Sequence, residues 1–256
     1  MYDLHNHILP GLDDGPSSME DSLAMARIAA GDGIKVVVAT PHLKDVFEAN
    51  AYVDLHEKVS QLQDLVDQDG LDLQVKIGME THVEPELSVR LKKGIAYTLD
   101  QSPFVLVEFP FLLYPSYLDE ALFNIQLAGY RPIIAHPERQ TTMQRNPNLL
   151  AALVERGMLT QITAGSLLGS FGPEAKRASE TFLRRNLVHV IASDAHRPHG
   201  HRVPLLSPAV LAAVSIVGEE RAHNMVNNIP IAILAGEEVK VEADLHRGKK
   251  RLFGIW

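Results

Sequence analysis

Apolar positions along this chain fall into two alternating kinds of segment. Short runs rich in β-branched residues, at 35–39 (KVVVA), 73–77, 104–107, 133–134, 159–162 and 187–191, are too short for helices and read as buried strands. An opening strand runs into Leu4-His5-Asn6-His7. Between the runs, apolar residues recur with helical spacing. In 19–31, Leu23, Ala26, Ile28 and Ala30 lie among charged residues, Ser17 or Ser18 offers a cap, and Glu20 and Asp21 occupy the first turn. In 50–68, Val59, Leu62, Leu65 and Val66 share one face, and further helices are expected near 117–128, 147–156 and 173–185. Seven strands alternating with helices predict an α/β fold in which parallel strands are joined by helical crossovers. No glycine-rich phosphate loop follows a strand, which disfavours a nucleotide-binding fold.

Beyond the last strand, 206–236 reads as two helices, 209–217 and 219–233. The end, 245–256, mixes a basic run with apolar residues and is expected to be a surface-docked tail whose cations would suit an acidic partner. At 256 residues the chain suits one barrel-sized domain spanning 1–256. A net charge of -8 argues against a nucleic-acid binder working through a general positive field. No apolar run reaches membrane-spanning length and the start reads directly into a strand, so the expected location is the cytoplasm.

The chain has no cysteine. That removes disulfides, thiolate ligands and cysteine nucleophiles, and leaves imidazole and carboxylate to hold any metal, a set suiting zinc, manganese or iron. Such residues stand where the strands end. The first strand delivers His5-x-His7, whose rings point the same way because strand side chains repeat every second residue. The others deliver Thr40-Pro41-His42, Gly78-Met79-Glu80, Glu108-Phe109-Pro110, His136-Pro137-Glu138-Arg139 and Ser193-Asp194-Ala195-His196. Any one of these is more often a cap or loop residue. As a set they converge, because parallel strands in a barrel end on one face, and burying so many together without cations would be costly.

With Asp14-Gly15 added, this ordered string resembles the PHP (polymerase and histidinol phosphatase) superfamily. It is closer still to the superfamily's bacterial metal-dependent protein tyrosine phosphatases of capsule and exopolysaccharide synthesis, with the match running from residue 1 to about 204. The resemblance implies a distorted (β/α)7 TIM-like barrel carrying three divalent metals, manganese being the expected ion and iron or zinc the alternatives. His5, His7, Glu80 and Asp194 would hold the first. Glu80 would bridge to a second, held also by Glu108 and His136, and Asp14, His42 and His196 would hold the third. Asp14 is preferred to Asp13 because the family places its ligand directly before a glycine, here Gly15.

The implied reaction is attack on phosphotyrosine by metal-activated hydroxide, with no protein nucleophile. Arg139, beside the metal face, is the natural phosphate clamp, since a guanidinium matches two phosphate oxygens at once. The family pattern of an arginine shortly before a proline adds Arg202 of Arg202-Val203-Pro204. The 197–202 loop carries an extra residue and two histidines, leaving Arg197 as the alternative. His201 reads as a general acid or, more ordinarily, as an exposed loop histidine.

The expected partner is a tyrosine-phosphorylated protein, a bacterial tyrosine kinase in particular. The rival readings are a small-molecule phosphatase such as histidinol phosphatase, a polymerase-associated nuclease and a non-catalytic metal-binding scaffold. The acidic balance and lack of an attached polymerase disfavour the nuclease. A scaffold predicts an incomplete ligand set, whereas all nine positions are filled here. His82, two residues after Glu80, reads ordinarily as a hydrogen-bonded or exposed histidine, with the edge of the site as its alternative. Phe109, Phe111, Tyr114 and Tyr117, around Pro110 and Pro115, are core packing or a wall for a phenyl ring. His56, His189, His223 and His246 carry no expected function.

Overall fold

All strands expected from the pattern form, and they run parallel in the computed structural model, which describes residues 1–48 and 55–240. The tail at 245–256, with His246, and the first residues of the 50–68 segment lie outside the described residues. Strands β1 (Tyr2–Asn6), β2 (Val36–Ala39) and β3 (Gln74–Ile77) make one sheet. A second holds β4 (Glu80–His82), β5 (Phe104–Glu108), β6 (Arg131–Ala135), β7 (Leu159–Thr163) and β8 (Val190–Ala192) in sequence order.

Among the described residues eight strands stand where seven were expected, because β3 and β4 are one stave broken at Gly78-Met79. A Cβ at Gly78 would come within 2.8 Å of Val38 and 2.9 Å of Leu99, so only glycine lets the chain cross there from one sheet to the other. Bridges at His42↔Glu80 and Asn6↔Ala195 join the two sheets along both seams. The result is a distorted (β/α)7 barrel.

The helices cover its outside. Helix α1 (Met19–Gly31) starts at Ser18, whose hydroxyl accepts from the Asp21 N–H at 3.1 Å, and buries Met25, Ala26 and Ala29. Short α2 (Leu43–Glu48) precedes α3 (Leu55–Gln68), which buries Leu55, Leu62 and Val66. Then come α4 (Leu87–Lys92), α5 (Leu118–Leu127), α6 (Thr141–Arg145), α7 (Pro147–Glu155), α8 (Ala164–Leu168) and α9 (Gly172–Arg184). Strand alternation separates two cores. Val37, Val105, Val107, Ile134, Ile162 and Ile191 pack outward among the helices. Leu4, Val38, Leu106, Ile133, Ala135, Leu159, Val190 and Ala192 fill the barrel.

The carboxyl-terminal part corrects the expectation of two helices. Three form: α10 (Ser207–Val217), α11 (Glu219–Asn224) and α12 (Asn228–Leu234). The break at 225–227 has a physical cause. Strands β1 and β8 meet only towards their carboxyl ends, where Asp194 N–H donates to His5 O and His7 N–H to Ala195 O, both at 2.8 Å. Towards their other ends the backbone between α11 and α12 fills the gap: Tyr2 N–H reaches Val226 O at 2.8 Å and Ile191 N–H reaches Met225 O at 3.3 Å. Satisfying those strand donors interrupts the helix, and Pro230 falls in the first turn of α12, where its missing N–H breaks no helical bond. No helix among the described residues is long and apolar enough to cross a membrane.

His189 is buried just before β8, and its Nδ1 accepts the Thr160 N–H at 3.1 Å, which requires a neutral ring. Burial, with Arg221 nearby, pushes its pKa down to about 4. Above pH ~6.5 both folded and unfolded chains hold this histidine neutral. As pH falls from there towards 4, the unfolded chain takes a proton that the folded ring refuses, and stability is lost, by about 3 kcal/mol in all. In His189→Asn, whose amide oxygen can accept the same N–H, this part of the acid sensitivity should vanish. Urea midpoints at pH 7 and 4.5 that fall in parallel for both proteins would refute it.

Candidate metal centre

The inward-facing rows that are apolar low in the barrel turn polar at its top. Leu106 is followed two residues on by Glu108, Ala192 by Asp194, Leu159 by Gln161 and Gly78 by Glu80, each keeping the strand parity. Strand β1 reaches the same face by another route. Its register against β2 shifts between Asp3 and Asn6, where Leu4 and His5 oppose the single residue Val38, so Leu4 enters the barrel core while His5 still faces the site.

All nine expected ligand residues come together. His7, Asp14, His42 and His196 each offer a donor atom within 4.8 Å of one another, as do His5, His7 and Glu80, and His42, Glu80 and Glu108. Glu80 is the hub: Oε2 lies 3.2 Å from Nε2 of His5 and of His7 and 3.1 Å from His42 Nδ1, while Oε1 is 2.8 Å from His136 Nε2. Asp194 Oδ1 is 3.6 Å from Nε2 of both His5 and His7, and His136 Nε2 is 3.6 Å from Glu108 Oε1. Seven of the nine are buried. The side chains of His42 and Asp14 are 21% and 57% exposed, so the cluster opens to solvent on their side.

The electrostatics describe a set of donors pulled together by opposite charge. Burial alone would raise the Glu80 pKa, but His5 and His136 outweigh it and hold the carboxyl well below its usual range. Burial likewise disfavours a charged His7, yet Asp13 and Glu80 raise its pKa to about 10. Asp194 is lowered against its burial by His5 and Arg202, and Asp14 is lowered chiefly by the His196 ring beside it. Two observations fit a cation. His42 Nδ1 and His196 Nε2 are buried 3.1 and 3.0 Å from carboxylate oxygens of Glu80 and Asp14 yet out of hydrogen-bond alignment with them, and Nε2 of His5 and His7 face each other at 3.1 Å, where at most one proton can sit. Nitrogen and carboxylate donors suit zinc, manganese or iron.

The two aspartates divide their work. Asp13 Oδ2 takes His7 Nδ1 at 2.6 Å and the His42 N–H at 3.1 Å, and its Oδ1 takes the Gly15 N–H at 2.9 Å. It is spent orienting its neighbours. Asp14 Oδ1 instead faces His196 Nε2 at 3.0 Å and His42 Nε2 at 3.8 Å. Gly15 is needed for the turn, since a Cβ there would meet His7 O at 2.5 Å. Arg139 Nη1 reaches Asp194 Oδ2 at 2.7 Å and Arg202 Nη2 reaches Asp194 Oδ1 at 2.9 Å. Arg197 is exposed and meets Arg202 only through its own backbone N–H. His82 edges the site, the less expected of its two readings, with Nε2 2.9 Å from Glu108 Oε2. His201 is exposed in its loop, 6.4 Å from the Phe171 ring.

Sequence reasoning missed three supports. Gln161 Oε1 takes His5 Nδ1 at 2.9 Å, which fixes the tautomer that turns Nε2 into the cluster. Its signal was available as the one polar residue on the inward row of β7 at that level. Buried Asp3 accepts from Ser193 N–H and Oγ and from Asn6, fastening β8 to β1 directly before Asp194. Phe171 lies 4.5 Å from the Arg139 guanidinium carbon, and no local pattern distinguishes it from a packing aromatic.

Comparisons with known proteins find relatives over most of the chain. The tyrosine-protein phosphatase YwqE of Bacillus subtilis (strain 168) is 40% identical over 196 residues, 77% of each chain. The tyrosine-protein phosphatase CpsB of Streptococcus pneumoniae is 29% identical over 241 residues, covering 91% of this chain and 98% of that one. A solved structure from work on YwqE and CpsB, described there as unique metal-dependent tyrosine phosphatases, matches with a TM-score of 0.88 at 34% identity, over 94% of this chain and 97% of the other. A family model for capsular polysaccharide synthesis proteins, CpsB/CapC, matches residues 1–235. With that model spanning the barrel and every residue of the cluster, the chain belongs to the CpsB/CapC family of capsular polysaccharide synthesis.

Proposed function

We propose that this chain is a metal-dependent phosphatase that removes phosphate from tyrosine on a protein of the capsular or exopolysaccharide machinery. The observation that carries the reading is the convergence of nine nitrogen and carboxylate donors directly beneath two arginines. Three divalent ions, manganese first among them, would take His5, His7, Glu80 and Asp194; Glu80, Glu108 and His136; and Asp14, His42 and His196. When bound they supply Lewis acidity to the phosphoryl oxygens and to the attacking water.

The protein's own groups do the rest. Asp13 and Gln161 hold the His7 and His5 rings in place from behind. Arg139 and Arg202 reach the same carboxylate, Asp194, and a guanidinium with five N–H donors keeps others free for phosphate oxygens. Tyrosinate leaves with a conjugate-acid pKa of about 10, so it needs far less proton assistance than an alkoxide. That suits a site where His201 stands exposed on the rim. A single domain over 1–256, cytoplasmic action and a tyrosine kinase as the phosphorylated partner complete the reading.

The test is steady-state turnover of a phosphotyrosine peptide, a phosphoserine peptide and histidinol phosphate by manganese-supplemented protein, each with and without chelator. Chelator-sensitive preference for the phosphotyrosine peptide is expected. Preference for histidinol phosphate would move the same site to a small-molecule substrate, and turnover unaffected by chelator would sink the metal mechanism.

A further inference from the structure

Arg139 is set among aromatic rings as well as carboxylates. Its guanidinium carbon lies 4.9 Å from the centre of the Phe111 ring and 4.5 Å from that of Phe171. The Phe171 ring is also 5.9 Å from the Arg202 guanidinium carbon, so one ring serves both arginines. Phe171 occupies the turn between α8 and α9, and Gly165 makes room for it, since a Cβ there would stand 3.1 Å from Phe171 Cε2. Neither ring is enclosed: Phe171 is half-buried and Phe111 is 39% exposed.

Stacking on a ring leaves the N–H edge of a guanidinium free to bind oxygens. A phosphate held on that edge therefore carries its ester group past the two rings. We infer that Phe171, with Phe111 against the same Arg139 guanidinium, is a specificity-determining rim that contacts the aryl group of an aryl phosphate and favours it over alkyl phosphates such as phosphoserine. The inference rests on the phosphatase reading and deepens it, because the metal cluster itself senses only the phosphoryl group. Aromatic pairs gain favourable offset or edge contacts that an alkyl chain lacks, enough for about a ten-fold preference.

Binding isolates this effect from leaving-group chemistry. Phenylphosphonate and ethylphosphonate should be titrated calorimetrically into the manganese-supplemented full chain, as wild type, Phe171→Leu and Phe171→Tyr, with turnover of a phosphotyrosine peptide measured alongside. Phe171→Leu is expected to weaken phenylphosphonate about ten-fold and leave ethylphosphonate unchanged, while Phe171→Tyr, which keeps the ring, retains wild-type preference. Parallel weakening of both ligands would reduce Phe171 to a support for the arginines and overturn the inference, as would no change in either. A wild type that prefers phenylphosphonate through Phe171 yet turns over no phosphotyrosine would defeat the phosphatase reading alone.

Discussion

Glu80→Gln is expected to lower turnover on the order of 10³-fold or more and to cost the chain at least one bound metal. Glu80 is 1% exposed and stands within 3.2 Å of four imidazoles, two reached from β1, one after β2 and one after β6. It is the only carboxylate that touches all of them among the described residues. Glutamine keeps the shape of the side chain and removes its charge, so the change isolates the anion. In the proposed ligand set Glu80 would serve two ions, so losing its charge would weaken both sites together, and bound metal ions would supply several kcal/mol of transition-state stabilisation at about 1.36 kcal/mol per decade of rate. The measurements are kcat, metal content by mass spectrometry and circular dichroism to verify the fold. A folded variant with full metal content and near-normal kcat would defeat the assignment of Glu80.

The strand pattern was legible because barrel strands buried on both faces read as continuous apolar runs, and every donor but Asp14 was legible because it stands at or just past a strand end, Asp14 entering only through the Asp-Gly of the family pattern. What the pattern could not show depends on long-range neighbours. The crossing at Gly78 is dictated by Val38 and Leu99, and the break between α11 and α12 by unpaired N–H groups on β1 and β8. His136 and Asp194 adopt φ of 31° and 50°, left-handed conformations that cost non-glycine residues about 1–3 kcal/mol. Nothing in His-Pro-Glu-Arg or Ser-Asp-Ala-His announces that strain. It persists because surrounding bonds impose it: Asp194 N–H is tied to His5 O, and Ser193 before it is tied to Asp3. Phe171 was invisible for a related reason, since its partners Arg139, Arg202 and Gly165 come from three other segments.

Arg139→Lys is expected to reduce kcat by on the order of 10²–10³-fold while metal content stays at the wild-type level. Lysine keeps the charge, so a large loss would show that the planar fork matters: a guanidinium can give paired N–H groups to a phosphoryl oxygen edge, and an ammonium cannot. Two arginines share Asp194, but they are not equivalent. Arg139 binds it at 2.7 Å and lies against two aromatic rings, whereas Arg202 divides itself between Asp194 at 2.9 Å and the more exposed Asp14 at 3.4 Å. The less committed arginine should matter less, so Arg202→Lys is expected to cost about ten-fold. Arg197, turned to solvent, supplies the control, and Arg197→Ala should retain wild-type kcat. If Arg197→Ala proved as damaging as Arg139→Lys, the loop after His196 would have to present its other arginine to the substrate, and the clamp would need to be reassigned.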